Sequence, residues 1–220
     1  RDMLRLEEIA QSCRELGATT SVRAVDLADL EHALAVLGED DDLLEFGTAV
    51  FAAGIGDIRG SGERIETPHL IARLATVNYT APAALAAELA NRMAARGRGN
   101  IALIGSAASF HALPFATGYA SSKAGLARFA EALGIAMRPF GVRVTLISPG
   151  FIDTEAARRV PGPKPMILTP DEAAQHIARA VGAGKAHVIL PWPFALLRVI
   201  DRLVPGWLRA RLLRGLAPRE

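Results

Sequence analysis

Four short apolar runs limit what this chain can become: TAVFAA at 48–53, NIALIGS at 100–106, VRVTLIS at 142–148 and HVILP at 187–191. They are continuously apolar rather than alternating, as strands buried on both faces are. Stretches of helical periodicity separate them. Residues 69–96 read as a long helix interrupted near Asn78 and Pro82, and Gly118 to Met137 as a second. Residues 170–182 read as a third, with Thr169 as N-cap and Pro170 at its first position. Upstream, residues 2–17 predict a helix with Leu4, Leu6, Ile9 and Cys13 inward and Gly17 as its stop. TSVRAV at 20–25 predicts a further strand, and 28–37 a helix. Strands alternating with helices make a doubly wound α/β parallel sheet with helices on both faces. No repeat or linker divides residues 1–220, so one domain is expected, with 192–220 as a helical tail.

Composition removes several classes of function. The net charge is only +2, and Lys and Arg are scattered until the last thirty residues, which argues against nucleic acid as a partner. Cys13 is the only cysteine, so no intrachain disulfide or cysteine metal cluster can form, and no metal site is expected. A reducing, cytoplasmic setting is the simplest expectation. No stretch reaches the roughly 18 to 20 apolar residues of a spanning helix. The chain opens with Arg-Asp rather than Met and runs at once into an amphipathic helix.

Ligands of open α/β sheets bind where strands end, and the unusual residues gather there: Gly54, Gly56, Ser106 and Pro149-Gly150. The stretch GSAASFHALPFATGYASSK, 105–123, carries the chemistry. Tyr119 and Lys123 are four apart, on one face of a helix. A phenol near pKa 10 is too weak an acid for neutral pH, and a fixed ammonium one turn away lowers it. Ser106, at the end of the preceding strand, could polarise a substrate oxygen. A lone Tyr-x-x-x-Lys on a helix is more often a surface pair. A strand-end serine upstream and a Pro-Gly strand terminus downstream favour the functional reading here.

With these motifs the sequence resembles the short-chain dehydrogenase/reductase family over nearly all its length. The resemblance implies a Rossmann-like fold and hydride transfer between NADP(H) and an alcohol or carbonyl compound. Tyr119 would be general acid or base, and Lys123 would tune it and hold the nicotinamide ribose. Ser106 would polarise the carbonyl, and Asn78 (in VNYT) would support a water in the proton relay. In SPGFIDT, the residues Pro149, Gly150, Ile152 and Thr154 would border the nicotinamide. Asp26 and Leu27 would contact adenine, and Asp26 could equally cap the next helix. Phe51-Ala52-Ala53-Gly54 stands where the family has Asn-Asn-Ala-Gly, keeping Ala53 and Gly54 for close cofactor approach.

The family's glycine-rich turn is not found before residue 54. Its opening strand-helix-strand unit, roughly 30 residues, would precede Arg1. Arg1 would then follow the second strand as a 2′-phosphate contact, which favours NADP over NAD. Phe110, His111, Leu113 and Phe115 would line an apolar substrate pocket, with His111 a solvated loop residue or a second proton donor. The segment 156–169 would be a short lid. Homodimers or homotetramers are expected through the Ala-rich helices 83–95 and 124–136. The tail carries six arginines against Asp201 and Glu220. Packing across an interface or over the cleft ranks ahead of lying on an anionic membrane surface. Epimerases with the same pair are disfavoured, because only some 70 residues follow Pro149. The remaining alternative is a non-catalytic dinucleotide-sensing or scaffold protein of the same fold.

Overall fold

The computed structural model describes residues 2–56, 62–159 and 162–215, with the side chains of 156, 159, 202 and 214 left out. Four parallel strands form its sheet in the order of the sequence: β1 (Thr48–Phe51), β2 (Gly99–Ile104), β3 (Val142–Pro149) and β4 (His187–Leu190). The register sets Thr48 beside Asn100, Gly99 beside Val142, and Leu146 beside His187. Each apolar run therefore became a strand, each crossing to its neighbour through a helix.

Helices cover both faces, as the continuous apolar runs require. Before β1 come α1 (Met3–Glu15) and α2 (Leu30–Leu44). Between β1 and β2 lie α3 (Pro68–Ala75) and α4 (Ala81–Ala95), and α5 (Thr117–Met137) follows β2. One face buries Leu89, Met93 and Leu126 of α4 and α5 against Ile101, Leu103 and Leu146. The alternate residues Ala102 and Ile147 point to the other face, where Ile177 and Val181 of α7 (Pro170–Gly182) pack. Strand order never reverses, yet the third crossover helix sits opposite the first two. The β3–α7–β4 connection therefore has the opposite hand to its predecessors, against the usual uniformity. The chain ends in α6 (Glu155–Arg159), then α7, then α8 (Pro193–Leu203) and α9 (Gly206–Gly215), the last two separated at Pro205. Within the expected helical tail, the described residues form these two helices.

Local signals explain most boundaries. Thr169 caps α7 through a capping box with Glu172. The expected interruption near Asn78 is a π-helical turn, Thr76–Thr80, joining α3 to α4. Such turns recur at functional sites because the extra residue redirects a side chain.

Three expectations fail upstream. Thr20 to Val25 pairs with no strand among the described residues, and without a ladder its backbone groups cannot make a strand. Leu4 and Ile9 of α1 are 81% and 57% exposed, and only Ala10 is buried. Among the described residues, no strand lies beneath the apolar stripe of α1. Asp26 does not cap α2: Asp29 does, accepting from His32 N, while Asp26 accepts from Ala28 N in the preceding turn.

One buried ion pair ties α2 to α4. Both Asp41 oxygens accept from Arg96, at 2.7 and 3.0 Å, and Oδ1 also accepts from Phe46 N. The Arg96 guanidinium holds the Asp41 carboxyl below its usual 3.8, against the opposing push of burial. A depressed carboxyl favours the folded chain above its unfolded value and loses that contribution as acid protonates it. Asp41→Asn should therefore cost about 2 kcal/mol near neutral pH. Thermal melts from pH 7 down to about 3 should show the parent losing this margin and the variant nearly level with it at the acid end.

Candidate active site

The site is assembled at the carboxyl ends of β1, β2 and β3, with α5 supplying its ionisable groups. No side chain caps α5 from Ala116, its own N-cap position. Instead Glu66, just before α3 and 1% exposed, accepts from Gly118 N (3.0 Å) and from the Thr117 hydroxyl (2.7 Å). A carboxylate at a helix N-terminus satisfies orphan amides and complements the helix dipole. Glu66 thereby fixes the turn that carries Tyr119. Sequence reasoning missed it, because nothing links residue 66 to residue 118 except the folded chain.

One turn on, Lys123 is 5% exposed, and its ammonium donates to the Ile104 carbonyl (2.9 Å) where β2 ends. No carboxylate pairs with it among the described residues, and burial brings its pKa down to about 8. A buried amine without a counter-ion is costly in a purely structural role, which marks functional sites.

Ser106 stands two residues beyond Ile104. Its Oγ accepts from Ala108 N (3.1 Å), leaving the hydroxyl hydrogen for the Tyr119 phenol. Tyr119 and Lys123 thus meet the same strand end, one at Ser106 and the other at Ile104. The expected electrostatic tuning differs, however. Burial pushes the Tyr119 phenol above its usual 10, and the Ser106 hydrogen bond pulls it part of the way back.

Asn78 is fully buried in the π-helical turn. Its Oδ1 accepts from Ile55 N (2.8 Å), while Nδ2 donates to Ile55 O (2.9 Å) and Ser122 Oγ (3.2 Å). Both amide hydrogens are committed, so Asn78 clamps the loop after β1 to α5. Gly54 lies inside that clamp: a β-carbon there would come within 3.1 Å of Asn78 Oδ1 and 3.3 Å of Lys123 Nζ. Any larger residue would crowd the ammonium.

The remaining expected contacts spread around this centre. Ala53 and Gly54 are exposed at the end of β1. Pro149 is buried in the β3–β4 ladder, and Gly150 meets the Phe194 ring of α8, which no side chain at 150 could tolerate. Ile152 bridges to Leu168, and the Thr154 hydroxyl accepts from Ala157 N. Leu27 is half-buried, and Arg1 lies outside the described residues. His111 is not solvated: its Nδ1 lies 3.2 Å from Asp201 of α8, and Phe110 sits under the Arg198 guanidinium. Both therefore face the C-terminal helices.

This arrangement can give or take a proton at a strand end beside a buried cation and a glycine-lined gap. The short chain dehydrogenase family profile matches residues 1–163. An uncharacterized oxidoreductase of Mycobacterium tuberculosis is 34% identical over 220 residues, covering 97% of this chain and 86% of its own. Among solved structures, a short-chain dehydrogenase from Sphingobium yanoikuyae in complex with NADPH superposes with a TM-score of 0.79 at 26% identity. That match covers 100% of this chain and 85% of the other. The bulky-bulky ketone specific alcohol dehydrogenase of Comamonas testosteroni gives 0.76 at 25% identity, covering 100% and 83%. The chain belongs to the short-chain dehydrogenase/reductase family of oxidoreductases.

Proposed function

We propose that this protein transfers hydride between NADP(H) and an apolar alcohol or carbonyl compound, with Tyr119 as the proton donor in reduction. The observation that carries this reading is the convergence of Lys123 and Tyr119 on Ile104 and Ser106 at one strand end. A dinucleotide would pass at Gly54, where the lack of a β-carbon leaves Asn78 Oδ1 and Lys123 Nζ uncrowded. When bound, the nicotinamide supplies or accepts the hydride. NADP is preferred over NAD on the basic Arg1 and on the NADPH held by the Sphingobium relative.

The chain's own residues account for the proton. A phenol held above its usual pKa is protonated at neutral pH, which suits an acid poised to protonate a carbonyl oxygen. Ser106, its acceptor role already met by Ala108 N, can turn its hydrogen from Tyr119 Oη to that same oxygen. Lys123 places a positive charge beside the Tyr119 oxygen as it becomes a phenolate, provided the ammonium remains protonated. Ribose hydroxyls would compete with the Ile104 carbonyl for its hydrogens. Asn78 holds the β1 loop in place, and the Pro149–Thr154 turn would border the ring. The ketone preference of the Comamonas relative is consistent with an apolar carbonyl substrate.

Three outcomes are expected. Tyr119→Phe should lower kcat by about 100-fold to 10,000-fold while NADPH affinity, read by fluorescence titration, stays near the parent's. A parent protein that binds NADPH yet turns over no member of a broad ketone panel would instead indicate dinucleotide sensing. For reduction, kcat/KM should hold steady below pH 8 and fall as the pH rises past about 8, where Lys123 gives up its proton. Lys123→Arg, with no titration in that range, should abolish the fall even if it lowers the plateau. Glu66→Ala should cost about 1–3 kcal/mol in thermal unfolding. It should also reduce kcat without moving the pH midpoint, since Glu66 acts through the first turn of α5.

A further inference from the structure

The helix α8 is amphipathic in the wrong sense for a helix packed on a core. Its described polar side chains, Arg198 and Asp201, face inward. Arg198 sits 4.8 Å over the Phe110 ring, 3.4 Å from His187 Nδ1 and 3.9 Å from Glu131. Asp201 meets His111 and, at 3.6 Å, Arg209 of α9. Burial, with the Arg198 charge adding to it, keeps His187 below its usual pKa, so its ring can accept from Arg198 and donate to Ser148. Phe194 is the one buried apolar side chain among the described residues of α8, and its ring meets Gly150.

The apolar side chains face outward. Trp192, Leu196, Val199, Ile200, Leu203 and Trp207 are all exposed, with Leu203 at 78% and Trp207 at 73%. Their spacing keeps them on one stripe of α8 that continues into α9. A contiguous exposed stripe of this size marks a surface that something else covers.

We propose that this face docks on an anionic lipid bilayer surface, the helices lying in its plane. Residues 192–215 carry five arginines against Asp201 alone, a net positive charge complementary to acidic headgroups, and Arg211 is exposed. Both tryptophans of the sequence sit on this stripe, where interfacial aromatics belong. With 11 and 10 residues, α8 and α9 are too short to cross a bilayer. No helix among the described residues is long and apolar enough to do so. A second copy of the chain fits less well, because a two-fold interface would bring together two segments of the same net positive charge. Sequence periodicity alone ranked packing ahead of lipid, and the outward direction of the stripe reverses that order. Docking does not depend on the hydride chemistry, although α8 holds Phe110 and His111 just beyond Ser106.

Vesicle partitioning tests this directly. Because Trp192 and Trp207 are the only tryptophans, intrinsic fluorescence reports the patch alone. Vesicles of phosphatidylcholine mixed with phosphatidylserine should shift the emission to the blue and co-sediment the protein. Pure phosphatidylcholine should bind much less, and added salt should weaken the mixed-vesicle binding. Arg211→Gln should lower partitioning roughly fivefold. Leu196→Glu with Leu203→Glu should lower it by more than about tenfold, with an unchanged circular dichroism spectrum because both side chains are exposed. Equal binding to neutral vesicles, no binding to either, or full binding by the double variant would each overturn the proposal. So would a parent dimer in light scattering that the double variant dissociates.

Discussion

The buried Lys123 ammonium and the Ile104 carbonyl it reaches form the contact on which the rest of the site depends. An amine in that position needs a polar partner, and the end of a parallel strand offers one, because the ladder stops there. The contact sets the rotation of α5 about its axis. That rotation directs Tyr119, one turn earlier, to Ser106, and it brings Ser122 to Asn78. Gly54 leaves the ammonium room on the side away from the strand. Burial also leaves Lys123 with a proton that can be lost within the physiological range. A surface Tyr-x-x-x-Lys pair would have none of these properties.

Supporting elements act on this contact from outside. Glu66 holds the first turn of α5, and the Asn78 clamp joins the loop after β1 to the same helix. Neither needs to touch a substrate to matter. A side chain misplaced by about 1 Å can cost two orders of magnitude in rate. Buried hydrogen bonds with few alternatives are the means by which a helix is held to that tolerance.

The sequence made the sheet legible because continuous apolar runs and short helix signals are local. Thr169, Pro170 and Glu172 lie together in the chain, so the start of α7 could be read from them. The Tyr119, Lys123 and Ser106 constellation was legible for the same reason. Glu66 at the start of α5, Arg96 on Asp41, and Arg198 over Phe110 were not, because each pair is brought together only by folding. Periodicity also gives a stripe without its direction. It placed Leu4 and Ile9 inward although both are exposed, and it could not tell that α8 turns Arg198 and Asp201 to the protein and its apolar stripe to the outside. The extended run Thr20 to Val25 carries strand-forming residues, but a strand is a property of two segments, and its partner is not among the described residues. The direction of the phenol's pKa was not legible either: spacing showed that Lys123 was near, but not how deeply folding buries the phenol.

The fold and the chemistry thus meet in a single titration. Lysine labelled with carbon-13 at the ε position, assigned by comparison with Lys123→Arg, reports the Lys123 proton without reliance on any substrate. A midpoint near the value of about 8 is predicted for a buried ammonium held at the end of β2. A midpoint near the ordinary 10.5 would mean that the amine is solvated, and the site built around it would lose its foundation.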